Sequence, residues 1–129
     1  GINNGLTSAE LGLSYLLPRA IGTSRAFDIM LTGRDVDAQE AQRIGMVSKV
    51  VSQEKLLDEC YAIAERIHGF SQLGVELRKQ MVWAGMDAGS LHSHMNHEGH
   101  AKLVVRMTNK NFEEAIKARK EGRAPDFKD

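Results

Sequence analysis

The stretch SYLLPRAIGTSRAFDIMLTGRDVDAQEAQRIGMVSKVV (residues 14–51) decides the fold, because its apolar residues recur at helical spacing between glycine and proline breakers. A first helix is predicted over residues 8–17, since Pro18 biases the residue before it away from helical geometry. A second helix is predicted over residues 24–31, ending at Gly33. Its apolar face comprises Ala26, Phe27, Met30 and Leu31.

A third helix is predicted to begin at Asp37, whose side chain can cap it while Glu40 reaches back as in a capping box. Gly45 then supplies a left-handed C-cap. The predicted buried stripe of this helix comprises Ala38, Ala41 and Ile44. After Gly45, the alternation in MVSKVV (residues 46–51) predicts a short strand.

Downstream of this stretch, the periodicity predicts four more helices. The first begins at Ser52 and has the clearest amphipathic pattern, with Cys60 on its apolar side. The others are predicted over residues 75–86, 91–107 and 111–121, with a possible hinge at GFSQLG, residues 69–74. The fold class is therefore mostly α, with about seven helices and one short strand.

Composition indicates an ordinary globular chain. The 129 residues are 42% hydrophobic and 26% charged, with 17 basic and 17 acidic side chains, so nothing favours nucleic acid or an anionic membrane as a partner. No apolar run approaches the roughly 20 residues that span a bilayer. The single cysteine, Cys60, excludes an internal disulfide framework, fits a reducing compartment and is expected to be a small core residue.

Glu10 is an isolated carboxylate in the leucine-, alanine- and glycine-rich opening of the chain. Its local pattern is that of a capping box, in which the Thr7 hydroxyl accepts from the Glu10 amide and the Glu10 carboxylate returns to the Thr7 amide. Leu6 and Leu11 occupy the positions of a hydrophobic staple. A second interpretation, catalysis, needs context from the rest of the chain.

Six short motifs supply that context: Leu-Pro-Arg, Ile-Gly, Ser-Arg-Ala, Leu-Thr-Gly-Arg, Ala-x-Glu-Ala and Gly-Met-Val, at residues 17–19, 21–22, 24–26, 31–34, 38–41 and 45–47. In this order they closely resemble the region that follows the active site in the enoyl-CoA hydratase/isomerase (crotonase) family. Weaker likeness extends to Lys79, to Glu98 and to the closing GRAPDFKD. The chain is thus similar to the C-terminal portion of a crotonase.

The resemblance implies that this helical chain is the C-terminal part of an α/β fold of the ClpP/crotonase type. Residues 1–51 would end the crotonase core, with its active-site-flanking helices and short strand, and residues 52–129 would form a helical oligomerisation region. The chain lacks an initiator Met and opens with loop-like GINNG, so residue 1 is not expected to be the natural start. The implied partners are the missing N-terminal half and further copies, in a homotrimer or a dimer of trimers.

The resemblance also implies chemistry on 2-enoyl-CoA thioesters through an oxyanion-stabilised enolate, with coenzyme A as part of the substrate and no separate cofactor. The protein is expected to be cytoplasmic, because a lone cysteine fits a reducing compartment. Glu10 falls where dienoyl-CoA isomerase-like members place an acid, whereas the position of the second hydratase acid lands on Gly1. Leu11, Leu13 and Leu16 are candidates for an apolar wall beside Glu10. An acyl-CoA hydrolase-like member and a non-catalytic helical assembly module remain the alternatives, and the fragment alone is expected to be inactive.

Two further features have both a functional interpretation and an ordinary surface interpretation. Arg119 and Arg123, with Lys120 between them, are candidate ligands for CoA phosphates, although a basic last turn also complements the helix dipole. SLHSHMNHEGH (residues 90–100) resembles a metal motif, but its pattern is HExH and not HExxH. We therefore predict no metal site there, and histidines that are exposed or that line an interface between subunits.

Overall fold

The computed structural model describes residues 2–7 and 9–128. Its seven α-helices are α1 (Leu13–Ile21), α2 (Thr23–Thr32), α3 (Ala38–Arg43), α4 (Leu56–His68), α5 (Gln72–Met86), α6 (Leu91–Thr108) and α7 (Asn111–Glu121). Short 3-10 turns occupy Ile2–Asn4 and Gln53–Lys55. The chain divides into two compact units, residues 1–56 and 57–129. The predicted number of helices is confirmed for the described residues.

Helix α1 begins and ends later than predicted. Gly12 is its N-cap, and Pro18 lies inside the helix instead of following it. An internal proline removes one backbone hydrogen bond and crowds the preceding turn. Continuing past Pro18 nevertheless buries Leu17 and Ile21, which are 8% and 3% exposed, and their burial offsets that cost.

These two side chains form the core of the first unit together with Ala26 of α2 and Ile44 after α3. Around them pack Ile29, Met30, Val36 and Met46. The predicted face of α2 is only partly correct, because Phe27 is 59% exposed. Helix α2 ends as predicted at Gly33, which is left-handed with φ 64°.

Helix α3 confirms half of the predicted capping box. The Asp37 carboxylate accepts from the Glu40 amide at 2.7 Å, but the Glu40 carboxylate pairs with Arg34 instead of returning to the Asp37 amide. A guanidinium offers charge-assisted bonds that a neutral amide cannot match. Arg34 also pairs with Asp28 of α2 at 2.6 Å, so it ties α2 to α3. Of the predicted stripe, Ala38 is exposed.

Residues 46–51 are not a strand. The amides of Met46 and Val47 donate to the Ala41 carbonyl, at 2.8 and 3.3 Å, and so close the end of α3 around the left-handed Gly45. A strand also needs a neighbouring strand to satisfy its backbone groups, and the described part of the chain contains none. The predicted strand was therefore wrong for this chain.

In the second unit, α4 is amphipathic as predicted but its apolar side is uncovered. Leu57 is 65% exposed and Cys60 is exposed, so the prediction of a core cysteine was wrong. Helices α5 and α6 pack together, and each starts at a serine cap: Ser71 accepts from the Gly74 amide and Ser90 from the Ser93 amide.

Helix α7 has the predicted bounds and ends at Gly122, which is left-handed with φ 67°. The C-terminal segment folds back onto it. The buried Asn111 side chain accepts from the Lys128 amide at 2.9 Å, and Glu114 accepts from the Asp126 amide at 3.0 Å. These two bonds fix the closing residues against the helix.

Candidate functional site

Glu10 lies on a tight turn immediately before α1. Its carbonyl accepts from the Leu13 amide at 2.9 Å, which closes a four-residue turn around Leu11 and Gly12. Both central residues have positive φ, 52° for Leu11 and 82° for Gly12, the sign pattern of a type I′ turn. Glycine adopts this geometry freely, whereas a leucine there is strained by about 1 kcal/mol.

The predicted role of Glu10 as a helix start is not observed. Helix α1 begins at Leu13, and the Thr7 hydroxyl accepts from the Ala9 amide at 3.3 Å, inside the preceding loop. The predicted first helical residue, Ser8, lies outside the described residues. Leu6 and Leu11 do not form a staple, since they are 58% and 103% exposed. The Glu10 side chain is exposed, so the capping alternative no longer accounts for it.

The apolar wall predicted beside Glu10 is open in this chain. Leu13 and Leu16 are 40% and 37% exposed, and Leu11 is fully exposed. A hollow of about 380 Å³ lies against the same segment, and Ala9 and Ser14, on either side of the turn, both line it. Its other lining residues are Thr7, Pro18, Thr23, Ala26, Phe27, Met30 and Leu31. The carboxylate-bearing turn thus adjoins a mostly apolar recess.

The two predicted phosphate ligands lie in different environments. Arg119 is exposed on the last turn of α7. Arg123 is held by carboxylates: its Nη2 donates to Glu114 Oε2 at 3.1 Å and its Nε to Glu121 Oε2 at 2.7 Å. Hydrogen bonds from Arg123 lower the pKa of Glu114 to about 2, and the same carboxylate raises the pKa of Arg123. Arg123 therefore clamps the end of α7, and Arg119 is the more available cation for a phosphate.

The histidine-rich segment lies on α6. His94 is 16% exposed at its side chain, and its Nε2 is 3.5 Å from Glu98 Oε1. The His97 ring meets it edge-on, with 6.4 Å between ring centroids. Among the described residues, no group of three or more His, Cys, Asp or Glu side chains could hold a metal ion. His94 packs between α5 and α6 of this chain. The predicted contact of the histidines with another subunit stays a prediction.

Sequence reasoning missed the left-handed turn at Leu11 and Gly12. Gly12 carried a signal, because glycine commonly marks a turn or a break before a helix. Leu11 carried none, since leucine is a good helix former and rarely adopts positive φ. Of the weaker resemblance positions, Glu98 contacts His94, and Lys79 lines an open groove between α4 and α5.

Known proteins share both the sequence and this arrangement. The family model described as Enoyl-CoA hydratase/isomerase matches residues 1–129. The chain belongs to the enoyl-CoA hydratase/isomerase family. A probable enoyl-CoA hydratase of Mycobacterium tuberculosis is 65% identical over the whole chain, which covers 45% of that relative. The chain thus spans about half the length of the curated relatives it matches.

Solved structures of the family agree with the helical architecture. A probable enoyl-CoA hydratase/isomerase from Mycobacterium abscessus is 67% identical and superposes with a TM-score of 0.94, over 99% of this chain and 49% of that one. A monofunctional enoyl CoA isomerase from M. smegmatis is 65% identical with a TM-score of 0.66, over 70% of this chain and 44% of that one. Relatives with different named activities therefore show comparable identity to this chain, and the family does not by itself fix the reaction.

No helix among the described residues combines the length and the apolar character needed to cross a bilayer.

Proposed function

We propose that the protein containing this chain hydrates or isomerises a 2-enoyl-CoA thioester through an oxyanion-stabilised enolate, the chemistry of fatty acid β-oxidation. Family membership over the whole chain supports the substrate class. The observation that carries the proposal is the placement of Glu10: an exposed carboxylate on a closed turn, directly before a helix anchored by Leu17 and Ile21. Coenzyme A enters with the substrate, and no further cofactor is proposed.

The chemistry assigns one task to Glu10. Enolate formation moves negative charge onto the thioester oxygen, and a carboxylate must add or remove a proton at a neighbouring carbon. Glu10 would be that general acid or base.

The remaining groups are proposed to come from outside this chain. Backbone donors for the thioester oxygen and a second acid would be supplied by the preceding half of the protein. A dienoyl-CoA isomerase-like reaction is one alternative, favoured by the position of Glu10 relative to Leu-Pro-Arg at residues 17–19. An acyl-CoA hydrolase-like reaction would use the same oxyanion stabilisation with water as the attacking group.

A non-catalytic assembly role is the candidate from another class. Helix α6 carries exposed apolar side chains, with Leu91 and Met107 at 77% and 84% exposed. Apolar residues left open on a helix are typical of a surface that packs against another chain. We propose that the whole protein is a homotrimer or a dimer of trimers and that it is located in the cytoplasm. The exposed apolar surface of α6 can serve assembly in a catalytic protein as well as in a non-catalytic one.

The decisive experiment is the variant Glu10→Gln in the full-length protein, assayed for loss of the 2-enoyl-CoA absorbance and for double-bond migration. We expect kcat to fall by about a hundredfold, within the range that general acid–base groups contribute. Glu113→Gln, which alters an exposed carboxylate on α7, is the matched control and should retain activity. Unchanged turnover in Glu10→Gln would leave the assembly role as the better account.

A further inference from the structure

Leu11 combines two unfavourable features at one position. Its backbone has φ 52°, the sole positive φ at a non-glycine residue in the described part of the chain. Its side chain is also fully exposed, at 103% of the reference area. Such strain persists where the surrounding structure enforces it, and the described residues provide no packing around the Leu11 side chain.

The strained backbone determines where Glu10 lies. With Leu11 and Gly12 both left-handed, the chain reverses within two residues, and the Glu10 carbonyl reaches the Leu13 amide at 2.9 Å. Leu13 is the first residue of α1, which is held in the core by its buried residues. The Glu10 backbone is therefore fixed relative to α1, and only its side-chain torsions remain free.

We propose that Leu11 is a positioning residue, whose left-handed backbone holds the Glu10 carboxylate at the reacting carbons; this inference rests on the proposed catalytic role of Glu10. Residue 11 acts through its backbone and not through its side chain. An asparagine or glycine tolerates positive φ, whereas a β-branched residue resists it strongly. The identity of residue 11 thus controls activity according to its φ preference.

Two substitutions break the turn independently. Leu11→Val places a β-branched residue in the left-handed position. Gly12→Ala adds a methyl group that has room, since its nearest neighbour is Leu16 Cδ1 at 3.9 Å, so it tests the φ of 82° and not a steric clash. In the full-length protein we expect both variants to lower kcat by about tenfold or more while KM changes less than about threefold. We also expect both to shift the pH dependence of kcat.

Leu11→Asn is the rescue variant, because asparagine adopts positive φ at little cost. It should keep kcat within about threefold of the wild-type value. Leu57→Val is the matched control, since it removes one methylene from an exposed leucine on α4, away from the turn. Circular dichroism and melting curves on each variant separate a misplaced carboxylate from a loss of fold.

The outcomes separate the two hypotheses. If Glu10→Gln lowers kcat but Leu11→Val and Gly12→Ala do not, the positioning role is wrong and the catalytic role stands. If Leu11→Asn loses as much activity as Leu11→Val, the side chain and not the backbone matters, and the inference also fails. If Glu10→Gln itself is unchanged, the proposed function has failed, and the positioning role fails with it.

Discussion

The His94 ring lies directly over Gly85, so that a Cβ built on Gly85 would be 3.0 Å from His94 Nε2 and 3.3 Å from its Cε1. This close approach joins α5 to α6 at the point where His94 also faces Glu98. A side chain at residue 85 would need the histidine ring to move. The glycine is therefore explained by packing between two helices and not by its backbone freedom.

Gly85→Ala is expected to change stability by the difference between two opposing effects. Alanine in a helix interior is favoured over glycine by about 1 kcal/mol, but here the added methyl group displaces His94. The stabilisation should therefore be smaller in the wild-type background than in His94→Ala, with a coupling of about 0.5 to 1 kcal/mol. Urea unfolding of the four proteins in the double-mutant cycle measures that coupling.

Gly99→Ala on α6 is the control for this cycle. A Cβ at Gly99 would meet no atom within 4 Å, so the substitution changes helix propensity alone. It should stabilise by about 0.5 to 1 kcal/mol whether or not His94 is present. Equal gains from Gly85→Ala in both backgrounds would contradict the contact between residues 85 and 94.

Sequence reasoning was most reliable where a local signal decides the structure. Asp37 capped α3 and Gly33 ended α2 as predicted, because capping bonds and left-handed backbones depend on adjacent residues. Helix α7 also had the predicted bounds, 111–121. Local chemistry was therefore enough to place these ends.

Sequence reasoning failed where distant contacts overrule a local preference. Pro18 was expected to end α1, but burial of Leu17 and Ile21 carries the helix past it. Cys60 has a core-like pattern, yet it is exposed, because no distant segment among the described residues packs over the apolar side of α4. For the candidate site, the sequence identified Glu10 through family resemblance, but the left-handed Leu11 that places it has no local signature.

Ile21→Ala is expected to destabilise the first unit by about 2 to 4 kcal/mol. Its side chain is 3% exposed and contributes to the core with Leu17 and Ala26, so its truncation leaves a cavity as well as losing buried area. Leu31→Ala, at a side chain that is 67% exposed on α2, should cost less than about 0.5 kcal/mol. Similar costs for the two variants in urea unfolding would place Ile21 outside the core.

The Glu114–Arg123 pair predicts a specific pH dependence. Folding lowers the pKa of Glu114 from 4.5 to about 2, chiefly through its hydrogen bonds with Arg123. A lowered pKa means that the folded state holds fewer protons, so this stabilisation is complete above about pH 4.5 and is lost as pH falls towards 2. Glu114→Gln should therefore lower the melting temperature at pH 7 and do so less at pH 3.5. Glu113→Gln, next to it on α7, should lower the melting temperature less at pH 7. If Glu114→Gln lowers the melting temperature as much at pH 3.5 as at pH 7, the ion pair is contradicted.

Arg119→Ala in the full-length protein is expected to raise KM for acyl-CoA by about threefold to tenfold while leaving kcat nearly unchanged. A phosphate held far from the reacting carbons is bound equally in the ground state and the transition state, so its loss weakens binding without slowing chemistry. Because Arg119 is exposed, added salt should screen its interaction with the phosphate and reduce the KM difference between Arg119→Ala and wild type. Lys117→Ala, which removes an exposed cation from the same helix, is the matched control.

Arg123→Ala should instead lower the melting temperature, because it releases Glu114 and Glu121. If Arg119→Ala and Lys117→Ala raise KM equally, the effect is one of general charge and Arg119 is not a phosphate ligand.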